Sequence, residues 1–349
     1  MTMQISMPIS YAGGFEESAR QVVELEKAGL DIAWVAEAYG YDGVSFMGYL
    51  AAKTERVQIG SGILPLYTRT PTLLAMTAAG VDALSGGRCV LGLGASGPQV
   101  IEGFHGVVYD KPLARTREIV SICRKVWARE APLTNEGPMY PIPVPEGQGT
   151  GLGRALKIIG RPVRSRIPIY IASLGQKNVA LTAEIADGWL PVFFVPEKAN
   201  DVFGDALAAG QAKRSPELGP LDIAAGGIVC ITDDEAQAKA MRDMGRGMAA
   251  LYIGGMGAKG QNFYNALVTR YGYEQEAAEI QDLYLAGNKQ EAAAKVPAEL
   301  LEKTSLCGSE GYIKDRIAAY KEAGVTVLSV TPFAENPTEV VDKLKTWTA

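Results

Sequence analysis

Residues 92–97 read Gly-Leu-Gly-Ala-Ser-Gly, a literal G-x-G-x-x-G. A dinucleotide-binding fold carries that spacing between its first strand and first helix, with an acid about 20 positions later closing the second strand. Here the motif closes the fourth apolar segment, and Pro98 follows at once. The acid at about the right distance, Glu118, lies in ARTREIVSICRKVWARE, whose spacing is helical. The fingerprint fails on its context. What survives is a strand end built of small residues. Gly92 and Gly94 allow close packing, and Ala95, Ser96 and Gly97 form a turn that a planar ring can approach; tight packing of strand against helix is the competing reading.

Other strand ends carry chemistry of their own. Ala172, Ser173, Leu174 and Gly175 form a small-residue turn leading into a helix that begins near Gln176, with Lys177 beside it. Free backbone N–H groups at a helix start, with an added cation, suit a phosphate, although such a turn also serves simply to start a helix. Glu37 ends the second apolar segment, where a carboxylate can hydrogen-bond a cofactor or move a proton. Tyr39, Tyr41 and Asp42 follow it, either lining a pocket or sitting in a solvated loop. His105, the sole histidine, reads either as a proton donor or as a structural residue.

Eight short apolar segments rich in β-branched residues read as buried strands: 4–10, 31–38, 56–64, 88–95, 168–173, 188–194, 223–231 and 325–333. A stretch with helical spacing follows each. In the first, Phe15, Ala19, Val22 and Val23 share one face, and Gly29 stops the helix. Strands apolar on both faces that alternate with helices imply a parallel sheet covered by helices. Eight such units close as a (β/α)8 TIM barrel; a doubly wound open sheet is the structural alternative. Residues 1–349 read as one barrel domain with two insertions, about 129–167 after the fourth βα unit and about 250–308 after the seventh.

Composition narrows the function. The net charge of −5 and the lack of any Lys/Arg-rich run argue against nucleic acid or an anionic membrane as partner. No segment is apolar and long enough to span a bilayer, and the N-terminus has no signal-peptide pattern. Four scattered cysteines and one histidine exclude a zinc site by spacing, so no metal is expected. The expectation is a cytoplasmic enzyme acting on a small molecule.

Four stretches, SGILPLYTRTP, LSGGRCVLGLGASGPQVIEGFHG, KPLARTREIV and NVALTAEIADGWLP, together resemble the bacterial-luciferase-like monooxygenase superfamily. The closer likeness is to its coenzyme F420-dependent oxidoreductase branch, which includes methylenetetrahydromethanopterin reductase and F420-dependent glucose-6-phosphate dehydrogenase. The resemblance implies a luciferase-like TIM barrel and a hydride transferred between a deazaflavin and a small organic substrate. FMN-dependent monooxygenation and non-enzymatic ligand binding are the alternatives, and FMN is the alternative cofactor. It also implies a non-prolyl cis peptide at Gly62–Ile63, beside Ser61 at the end of the third strand, backing the ring. The phosphate would lie at Ala172–Lys177, the ring near Ala95–Gly97, and Glu37 at the ring's polar edge. A homo-oligomer, most often a dimer, is the family's habit. Two positions depart from members that act on sugar phosphates: Ala38 stands where they carry a histidine, and Gly97 where they carry a glutamate. Arg161, Arg164 and Arg166 read as a solvated loop, the rival assignment being contact with F420's polyglutamate tail.

Overall fold

Alternation of strand and helix winds the chain into a closed cylinder. The computed structural model describes residues 2–10 and 13–349. Its barrel strands are β1 (Gln4–Ile9), β2 (Ile32–Val35), β3 (Gln58–Ser61), β4 (Cys89–Gly94), β5 (Ile169–Ala172), β6 (Gly188–Trp189), β7 (Asp222–Ile231) and β8 (Val327–Pro332). All neighbours run parallel, and β8 pairs with both β1 and β7, which completes the (β/α)8 barrel. A three-residue strand, Leu306–Gly308, extends from the far end of β7. Among the described residues no helix is long and apolar enough to cross a membrane.

Helix starts and stops follow the sequence signals. Thr70 caps the helix Pro71–Ser85 by accepting the Leu73 N–H at 3.2 Å. The first helix, Phe15–Lys27, is followed by Gly29 at φ 100°, a left-handed position that glycine adopts without a Cβ clash. The sixth strand is shorter than the sequence suggests. Only Gly188 and Trp189 are paired strand; Pro191 has no N–H to give, and Phe193 turns to φ 52°.

The lumen is filled by Trp34, Val90, Tyr170, Ala224 and Val327, with Ile32. Trp34 forces glycine on its neighbour: a Cβ at Gly60 would lie 2.3 Å from the indole ring. The third segment also breaks where continuous strand was expected. Gly60 pairs with Val90, but the next pairing is Leu64 with Leu93, so four steps on one chain span three on the other. This is a one-residue bulge, with Gly62 and Ile63 at its apex. The Gly62–Ile63 peptide is cis.

Glu26 ties the first helix to the start of β3. Its buried carboxylate accepts the N–H groups of Glu55 (3.0 Å), Arg56 (2.5 Å) and Val57 (2.6 Å). Burial pushes this carboxyl up, but the three N–H donors outweigh it and hold it below its ordinary value. A carboxyl lowered on folding stabilises the protein above its unfolded value, and that contribution disappears as pH falls through the folded one. Glu26→Gln should therefore cost about 1–3 kcal/mol at pH 7 and flatten the loss of stability on acidification below about pH 4.5. Urea melts at pH 7 and in the acid range check both.

The first insertion, 129–167, contains no helix or strand, only an isolated bridge between Asn135 and Ile142. Glu118 anchors it, accepting the N–H groups of Met139 at 3.1 Å and Tyr140 at 2.9 Å. Glu118 thus serves a loop, on the helix Pro112–Ala128, as its spacing indicated. Arg164 binds Asp82 and the Cys89 carbonyl; Arg166 binds Asp187 and the Glu217 carbonyl. Cys89 begins β4 and Asp187 immediately precedes β6, so these arginines fasten the insertion at the strands' N-terminal ends. The second insertion is helical, with Phe263–Arg270, Glu274–Leu285, Lys289–Ala294 and Ala298–Lys303.

Candidate active site

The C-terminal ends of the strands surround a cavity of about 1160 Å³. Every barrel strand or the turn after it supplies lining residues, from Pro8 after the start of the chain to Thr331 in β8. This is the end at which barrel enzymes build their sites. The sequence-chosen positions Glu37, Gly62, Ile63, Ala95, Ser96, Gly97 and all of Ala172–Lys177 line this one cavity.

Ser61 and His105 do not line it. The Ser61 side chain is fully buried and turns to the adjoining strand, donating to the Gly92 carbonyl and accepting the Gly92 N–H, each at 2.8 Å. It braces the bulge from behind, so its direct cofactor contact is corrected to a supporting one. His105 follows the short helix Pro98–Gly103. Its backbone N–H bonds the Val100 carbonyl, and its ring lies edge-on to Phe104 with centroids 5.1 Å apart. The sequence allows His105 as a proton donor or as a structural residue; the structure leaves it outside the residues lining the cavity.

Gly92 and Gly94 turn out to be packing residues. A Cβ on Gly92 would fall 1.7 Å from the Ser61 carbonyl oxygen, and one on Gly94 would press on the Ile63 side chain at 3.0 Å. Gly97 differs, since a Cβ there would meet only Gln99 Oε1 at 3.9 Å. The G-x-G half of the motif seals the bulge against β4, and the turn after it stands open to the cavity.

Glu37 is held rigidly. Arg69 donates to both its oxygens, at 2.5 and 2.8 Å, and the Gly43 N–H donates to Oε2 at 2.8 Å. The two side chains are 9% and 13% exposed. Hydrogen bonding to Glu37 holds the Arg69 guanidinium above its already high value, against the opposing effect of burial. Arg69 also donates to Asp42 at 2.7 Å, and Asp42 caps the helix Gly43–Lys53. Asp42 is therefore a loop brace, Tyr41 packs edge-on to Phe15, and only Tyr39 of the three reaches the cavity. With three of its acceptor sites engaged, Glu37 presents a carboxylate fixed in one orientation at the cavity edge.

At the fifth strand, Gly175 leads into the helix Gln176–Ile185 and offers no side-chain cap. The Gly175 carbonyl accepts the N–H groups of Asn178 and Val179, each at 2.9 Å, which leaves those of Gln176 and Lys177 for a ligand, as helix starts that bind anions leave them. Ser173 is committed elsewhere: its hydroxyl bonds Thr182 and its carbonyl accepts the Trp189 indole N–H. Asn178, one turn in, also lines the cavity, and its buried Oδ1 has no partner. The Asn178 oxygen is an acceptor and calls for a donor such as a hydroxyl, while the helix start offers N–H groups to an anion, a pairing that a hydroxylated, phosphorylated cofactor side chain completes.

Three lining or supporting residues escaped sequence reasoning. Arg69 stood in a quoted run, but nothing in the sequence joins it to Glu37, 32 positions away. Asn178 looked like an ordinary first-turn residue. Tyr109 faces the turn at Ser96, with its phenol pushed up by burial so that it keeps its proton.

Comparison with known proteins returns a consistent picture. The luciferase-like monooxygenase family model matches residues 1–327. A Mycobacterium tuberculosis protein provisionally named a coenzyme F420-dependent oxidoreductase is 43% identical over 334 residues, covering 94% of this chain and 95% of its own. The 5,10-methylenetetrahydromethanopterin reductase of Archaeoglobus fulgidus is 28% identical over 335 residues, 92% and 93% of the two chains. Among solved structures, the coenzyme F420-dependent tetrahydromethanopterin reductase of Methanopyrus kandleri superposes with a TM-score of 0.76 at 21% identity, covering 99% of this chain and 98% of that one. The last comparison speaks to the fold.

Proposed function

This chain belongs to the luciferase-like monooxygenase family, and from that premise we propose that it is an F420-dependent oxidoreductase transferring a hydride between the deazaflavin and an organic substrate. One observation carries the reading. An uncapped helix start with an orphaned amide (Gly175 to Asn178) opens into the same cavity as two small-residue walls, Gly62–Ile63 and Ala95–Gly97. That pairs a phosphate seat with a slot for a flat ring.

When bound, the cofactor supplies hydride chemistry at its ring carbon C5. The chain's own residues bind, orient and shield. The N–H groups at Gln176 and Lys177, with the Lys177 ammonium, hold the phosphate. Ile63, whose side chain is locked against Gly94, backs the ring. Glu37, clamped by Arg69, accepts a hydrogen bond from the ring's polar edge. The protonated Tyr109 phenol is the side chain at the Ser96 turn able to donate. Hydride transfer requires no nucleophile, so positioning and exclusion of water are the protein's main contribution. Ala38 and Gly97 leave sugar-phosphate members' histidine and glutamate without counterparts, which speaks against sugar-phosphate oxidation.

Fluorescence titration of the purified protein with F420 and separately with FMN tests the reading. Selective binding of F420 is expected, weakened about 5- to 20-fold by Lys177→Gln through loss of one charge-assisted contact. Tight, selective FMN retention would overturn it.

A further inference from the structure

The cavity has two unlike halves. Around β2 to β5 stand the polar anchors already described. Around β6 to β8 and the helical insertion the lining turns apolar, with Val192, Met244, Met248, Leu301 and Phe333. Four of these are large apolar side chains left open within the molecule: Met244 is 55% exposed, Met248 52%, Val192 40% and Phe333 37%. Apolar groups gathered at a concave surface mark a binding site more often than scattered ones do.

Charge is the second observation. Arg242 is the one charged side chain lining this half among the described residues. It is taken up by Glu235 and the Cys307 carbonyl. The other polar side chains lining this half, such as Gln261, Thr304, Ser305 and Thr331, are uncharged, so no free cation is left there to pair with an ionised substrate. Size is the third. At about 1160 Å³, the cavity exceeds the roughly 300–1,000 Å³ that suffices for one drug-sized ligand. A cofactor in the polar half leaves room for a second molecule.

We propose that the substrate is an uncharged organic molecule with an extended hydrocarbon portion, seated against Met244, Met248, Leu301 and Phe333. This rests on the assignment of the polar half to F420. Methionine suits the task, because its unbranched, polarizable side chain adapts to hydrocarbon of varied shape. The two methionines and the valine at the rim determine specificity by contact area, and the absence of a free cation excludes carboxylated analogues.

The test is calorimetric titration of the F420-loaded protein with 2-alkanones of increasing length and with keto acids of matched length. Affinity is expected to rise about fourfold per methylene, the ratio for moving one CH2 out of water. Keto acids should bind at least about tenfold more weakly, since an unpaired charge would enter an apolar wall. Met244→Gln with Met248→Gln should reduce the length dependence to less than about twofold per methylene, leaving F420 affinity and the circular dichroism spectrum unchanged. Length-independent binding, keto acids binding as well as ketones, or a length dependence unaffected by the double substitution would each overturn the proposal. The same series without cofactor separates the two readings: a protein that refuses F420 yet keeps the length dependence refutes the cofactor assignment alone.

Discussion

Gly92→Ala is expected to destabilise the protein by about 3–5 kcal/mol in urea unfolding, the range of severe core clashes, and to abolish F420 binding. Its Cβ would sit 1.7 Å from the Ser61 carbonyl oxygen, a backbone atom that cannot rotate aside. Relief requires β3 and β4 to separate, which breaks both Ser61–Gly92 hydrogen bonds and moves the bulge that forms one wall of the cavity. Gly97→Ala is the matched control. Gly97 has an extended backbone at φ −111° and open space around it, so alanine should change stability by less than about 1 kcal/mol. Equal behaviour of the two variants would refute the division of the motif into a packed half and an open half.

The second large effect concerns Arg69. Arg69→Met should cost about 3–5 kcal/mol, because removing one member of a buried ion pair leaves the other uncompensated. Glu37 would keep only the Gly43 N–H, with its side chain 9% exposed. The double variant Glu37→Gln, Arg69→Met should recover a substantial part of the loss, since it removes the stranded charge. A double-mutant cycle by urea unfolding measures this, and a single Arg69→Met within about 1 kcal/mol of the parent would show that water solvates Glu37 well enough alone. Asp42, at 49% exposure, loses a partner too, but water can replace it.

The barrel was legible because each of its strands is apolar on both faces and each helix has a single apolar face, so the periods announce themselves. Thr70-Pro71 and Gly29 carry their meaning locally. The strand ends were legible in the same way, for glycine at 92, 94 and 97 is visible in the sequence. The sequence does not distinguish why each is there. Gly92 answers to a carbonyl 31 residues upstream, and only the assembled sheet brings the two together. The Glu37–Arg69 clamp and the commitment of Ser61 to its neighbour have the same cause. Each depends on which strand lies beside which, a property of closure. The apolar half of the cavity was least legible of all. Met248 lies on the short helix Arg246–Ala250 and Met244 in the turn just before it; methionine ordinarily means core, and their exposure appears only when the chain folds over the mouth.

The bulge has one further consequence. Side chains alternate along a strand with a period of two, so an odd residue reverses the in-and-out order of all that follow. The extra step between Gly60 and Leu64 is what sends Leu64 and Leu66 into the main hydrophobic cluster while Ile63 faces the cavity. Inserting or deleting a single residue here would turn Leu64 and Leu66 toward the lumen and undo the wall that Ile63 forms, whereas a change of two would keep the order.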